Sequence, residues 1–67
     1  MKTILYIPIR KTIDYGTEWI NTSCADDTLD GCRINIVVLQ RQIPHWHEAN
    51  PVVRIARFEC VEVEEGS

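Results

Sequence analysis

A chain of 67 residues with 45% apolar and 25% charged residues, three Gly and three Pro has the make-up of an ordinary globular domain. Disordered, collagen-like and low-complexity classes are excluded. The longest apolar runs, residues 4–7 and 36–39, fall far short of the roughly 20 residues that a membrane span requires. The net charge of −3 is blocky, running +1 over residues 1–23, −3 over 24–31, +3 over 32–57 and −4 over 58–67.

One domain spanning residues 1–67 is expected. A domain this short buries only about 60% of the surface its unfolded chain exposes, so it is marginal alone and a partner subunit, a metal or a disulfide is expected to add support. The three cysteines, Cys24, Cys32 and Cys60, are an odd set that does not suit a closed disulfide framework, and free thiols are expected. No small-residue cleavage site follows an apolar stretch near the start, which makes the cytoplasm the expected location.

In chain order, residues 2–9 (KTILYIPI) are rich in β-branched and aromatic side chains and read as a strand. Pro8 has no N–H, so this strand is expected at a sheet edge or to stop there. Asp14-Tyr15-Gly16 supplies turn chemistry, and residues 17–21 (TEWIN) return beside the first strand. Ser23 followed by CADDTLD and Gly31 reads as a short helix near 24–30. In it Ser23 is the cap, Asp26 holds the capping-box position and Gly31 is the left-handed stop.

Residues 32–43 (CRINIVVLQRQI) and 52–63 (VVRIARFECVEV) are two long β-type stretches around the loop 44–51 (PHWHEANP). The spacing predicts an antiparallel hairpin. The expected fold is therefore α+β or mainly β, with a three- to four-stranded antiparallel sheet centred on that hairpin. An even register groups Ile34, Ile36 and Val38 with Ala56, Phe58 and Cys60 on one apolar face. The second face then mixes Arg33, Asn35, Arg41, Arg57 and Glu59 with Val37, Leu39, Ile43, Val53, Ile55, Val61 and Val63. It is too apolar to be purely solvent-facing, so either another element of the chain or a second molecule covers it, and on so short a chain the second is favoured.

Three chemistries compete for the remaining residues. If residues 44–48 were extended, His45 and His47 would project to one side, where with Cys24 and Cys32 they could ligate Zn²⁺. The close Cys pair usual in such sites is missing. Arg33, Arg41, Arg54 and Arg57 could face nucleic acid with Trp46 available for stacking, but Glu59, Glu62, Glu64 and Glu65 neutralise part of that row. No Gly-rich phosphate loop, P-loop or paired-carboxylate pattern is present, so no enzymatic activity and no cofactor are expected. The reading that remains is a non-catalytic adaptor or modulator acting by protein–protein interaction. It is expected to form a homodimer through the half-apolar sheet face, with Trp46, Leu39, Ile55, Arg41 and Arg57 at the contact. A small zinc-stabilised module is the alternative, and a nucleic-acid-binding accessory protein a further one.

Overall fold

The computed structural model describes residues 3–60. Its elements are β1 (Thr3–Thr12), β2 (Thr17–Ile20), a single 3-10 turn (Thr22–Cys24), α1 (Leu29–Gln42), α2 (Pro44–Ala49) and β3 (Val52–Cys60). The strands form one antiparallel sheet in the order β2-β1-β3. The fold is thus a small α+β fold on a three-stranded antiparallel sheet, as expected. Its hairpin, however, is β1–β2, closed by a turn in which Gly16 takes φ +67°. That φ is readily available only to glycine.

The expected hairpin of 32–43 with 52–63 does not exist. Residues 29–42 are helical, β3 pairs with β1 instead, and residues 61–63 lie outside the described residues. The apolar register worked out between the two stretches falls with it. Residues 34–38 (INIVV) contain four β-branched side chains, a composition that favours strands. Tertiary packing outweighs this preference. Cys32 is fully buried, and Leu29, Asn35, Ile36 and Leu39 are partly covered, recurring at helical spacing on one side of α1.

The start of α1 also lies elsewhere than expected. Thr28 is the N-cap, accepting from the Gly31 N–H at 3.0 Å, and the Asp26 carboxylate in turn accepts from the Thr28 N–H and hydroxyl. Gly31 therefore sits inside the first turn rather than closing a helix. A β-carbon there would overlap the Asp26 carboxylate and approach Thr28 Oγ1 to 2.8 Å. In place of the helix expected over 24–30 there is the turn Thr22–Cys24, a short irregular stretch, and then the beginning of α1. Pro44 ends α1, since the residue before a proline is pushed out of helical conformation, and Pro44 then opens α2 at its first turn.

Pro8 lies in the central strand, not at an edge. Its carbonyl accepts from the Asn21 N–H at 2.8 Å, on the side of β1 where β2 runs. In a strand the N–H and C=O of one residue point to the same side, so the missing donor also falls there. That is where β2 ends, at Ile20. The Asn21 carbonyl, left without a ladder partner, accepts from the Cys24 N–H and closes the 3-10 turn. The chain rejoins the same edge at Asp26, which exchanges both backbone bonds with Tyr6.

Side-chain alternation puts Tyr6, Pro8, Arg10 and Thr12 on one face of β1, with Trp19 of β2 and Ile55 of β3 beside them. Leu5, Ile7 and Ile9 lie on the other, with Ile20, Ala56 and Phe58. The register to β3 shifts between Ile9 and Arg10, a bulge that leaves Val53 without a partner beside Arg10.

The cap of α1 gives the first predictions. Thr28→Ala should cost about 1 kcal/mol in urea unfolding. Gly31→Ala, which would gain about 1 kcal/mol from helix propensity at an open site, should instead destabilise, because it displaces the Asp26–Thr28 bonds. Those same bonds hold the Asp26 carboxyl below the usual aspartate range. Their contribution is present above that range and is lost as pH falls through the lowered value. The acid limb of the melting curve should therefore flatten in Asp26→Asn.

Candidate functional site

Arg10 is the most completely buried side chain of its size, with no exposed surface. Its Nε donates to Asn21 Oδ1 at 2.7 Å, and its Nη1 donates to the Asn50 carbonyl at 2.8 Å and meets His47 Nδ1 at 3.2 Å. A guanidinium only donates, so His47 Nδ1 must accept and the ring proton sits on Nε2. The guanidinium carbon lies 4.8 Å from the centre of the Trp46 ring, a cation–π contact. Nη2 is buried with no partner, and among the described residues no carboxylate pairs with Arg10. One cation thus ties β1 to the segment after β2 and to α2.

Asn50 completes this cluster. Its Oδ1 accepts from Thr12 Oγ1 at 2.8 Å and its Nδ2 donates to the Trp46 carbonyl, which fixes the end of α2 against β1. Trp19 donates from Nε1 to the same Thr12 hydroxyl at 3.2 Å and meets Trp46 edge to face, with ring centres 5.8 Å apart. Sequence reasoning placed neither Arg10 nor Asn50 in any site. The strand expected over 2–9 stopped one residue short of Arg10, whereas β1 runs on to Thr12, and no local pattern marks an arginine beside Lys11 as buried.

The residues expected to bind a partner are scattered by this arrangement. Trp46 faces inward onto Arg10 and Trp19, as a lid rather than an exposed anchor. Leu39 is half-buried on α1, where it lines a shallow cavity of about 180 Å³ with Ser23, Cys24, Asn35, Val38 and Gln42. Ile55 is half-buried beside Pro8. Arg57 is on β3 with its guanidinium 3.7 Å from Glu59, and Arg41 stands exposed in the last turn of α1. The four arginines form no row. Arg54 pairs with Glu18 at 2.5 Å across the face opposite that of Arg57, while Arg33 and Arg41 belong to the helix.

Nor do the zinc candidates converge as a set, although Cys24 and Cys32 lie near each other. Cys24 and Cys32 are buried free thiols, Cys24 with its Sγ 3.7 Å from the Asn35 carbonyl, whereas His45 and His47 lie on α2 rather than on an extended segment. Among the described residues no three His, Cys, Asp or Glu side chains converge as metal ligands. Burial pushes the Cys32 thiol above its ordinary range, and the nearby Cys24 and Asp26 add to this, so the neutral thiol is favoured over a ligating thiolate.

What the structure does leave open is apolar surface. The outer side of α1 exposes Ile34 (61%), Val37 (43%) and Val38 (46%), which with Arg33 and Arg41 line a shallow groove of about 290 Å³. On the sheet, Leu5 and its cross-strand neighbour Phe58 are exposed, together with Ile20. No helix is long and apolar enough to cross a membrane.

Replacing Arg10 tests the cluster. Arg10→Met keeps the stem but leaves Asn21 Oδ1, the Asn50 carbonyl and His47 Nδ1 without their donor. A loss of about 3 kcal/mol or more is expected, read from the urea midpoint by tryptophan fluorescence. Arg10→Lys should recover little of it, because an ammonium supplies neither the planar fork nor the stacking surface. No family model, curated protein or solved structure matches the chain.

Proposed function

We propose that this chain is a non-catalytic protein-interaction module that works as a homodimer. The observation that carries the reading is α1, a helix apolar on both sides of which the fold covers one. On that outer side Ile34, Val37 and Val38 stand exposed together among Asp30, Arg33 and Arg41, and grouped exposed apolar side chains mark an interaction surface. The outer side of α1 therefore has the character of a surface that is covered when the protein acts.

The exposed pair Leu5–Phe58 with Ile20 gives the sheet a second apolar surface, suited to a further polypeptide. Two such surfaces fit an adaptor.

Sedimentation velocity from low micromolar to near-millimolar concentration tests the reading. The expected result is a shift toward twice the monomer mass with unchanged circular dichroism. A monomer across the whole range would remove the homodimer.

A further inference from the structure

We propose that the second copy docks on α1 in antiparallel orientation, so that Asp30 of each protomer faces Arg41 of the other and Ile34 faces Val37 between them. This inference rests on the homodimer reading and assigns its contact face.

The argument begins with spacing. Asp30, Ile34, Val37 and Arg41 follow one another at intervals of four, three and four residues, all on α1 and all exposed. Intervals of four and three keep side chains on one stripe of a helix, the seam pattern of coiled coils. The stripe lies opposite the side that carries Leu29, Cys32, Ile36 and Leu39, which turn toward the rest of the chain.

Next comes charge. The stripe is apolar in the middle, acidic at the N-terminal end and basic at the C-terminal end. Among the described residues neither Asp30 nor Arg41 makes an ion pair within the chain. A parallel copy would set Asp30 against Asp30 and Arg41 against Arg41. An antiparallel copy related by a two-fold axis midway between residues 35 and 36 brings Asp30 to Arg41 twice and Ile34 to Val37 twice, because both pairs have the same midpoint. This is the isologous contact a closed dimer requires. The groove between Arg33, Ile34, Val37, Val38 and Arg41 is where the partner's Ile34 and Val37 would seat. Helix axes 8–10 Å apart suit side chains of this size.

Charge exchange measured by sedimentation tests the assignment. Arg41→Asp replaces two attractive pairs with two repulsive ones and should weaken the dimer by about tenfold at low salt. Asp30→Arg should do the same. The double variant Asp30→Arg/Arg41→Asp restores both pairs with reversed sign and should return to within about threefold of the wild type. Val37→Glu, exposed in the monomer and so compatible with folding, should weaken association by about a hundredfold. A dimer that persists in Val37→Glu and ignores the charge exchange would overturn the α1 contact while leaving the homodimer reading intact. A wild-type protein that stays monomeric at every concentration would overturn both.

Discussion

Arg10 brings a positive charge into the interior of a chain with very little interior to hold it. Removing such a group from water costs several kcal/mol unless partners replace the lost hydration. Here the replacements are neutral: an amide oxygen from Asn21, a carbonyl from Asn50, a ring nitrogen from His47 and the face of Trp46. They come from two separate segments, the one after β2, and α2 with its C-terminal end, which backbone bonds from Asn21 to Pro8 and from Lys11 and Ile13 to Pro51 and Ala49 also hold against β1. The six-residue helix α2 is too short to be stable by itself, and it is held by what the guanidinium and Thr12 ask of His47, Trp46 and Asn50. The buried apolar set is small: Pro8 on the Arg10 face of β1, Ile7 on the opposite face, and Cys24 and Cys32. Polar geometry thus supplies much of the specificity that larger domains obtain from hydrocarbon packing.

This helps to explain which parts of the fold could be read from the amino-acid order. The strands around residues 3–12 and 17–20 and the turn at Gly16 were legible because β-branched alternation and turn chemistry act locally. Pro8 was misleading. Its missing donor forbids one ladder bond on one side, and whether the strand is central depends on where the neighbouring strand stops, which is a tertiary matter. Gly31 misled in the same way. A glycine after an acidic run has the look of a helix stop, yet here it makes room for the carboxylate that organises a helix start.

The helix α1 was hidden by Ile34, Ile36, Val37 and Val38, whose branching favours a strand. The opposing signal was present in Leu29, Cys32, Ile36 and Leu39, but it is easily masked when the outer side of the helix is apolar too. The ambiguity and the exposed surface share one origin. A helix whose outer side was polar would have been recognisable by its period, and it would have offered nothing to a second molecule. The sheet face that grouped the expected partner residues accordingly does not form, although Arg41 lies on the surface of α1 proposed for the contact.

The pairing of Thr3 with Cys60 brings the two ends of the described chain side by side, with β1 between a strand that follows it closely and one that arrives some forty residues later. The β1–β2 hairpin can close early, since its loop is short. The β1–β3 ladder closes a loop of some forty residues, a step whose entropic cost is met before any contact rewards it. Without β3, the edge of β1 opposite β2 has its backbone groups unpaired, although the partners of α2 on β1, Arg10 and Thr12, are already in place. The last strand thus makes the long-range closure of the sheet, and a nascent chain without β3 presents an open edge that can pair with other chains.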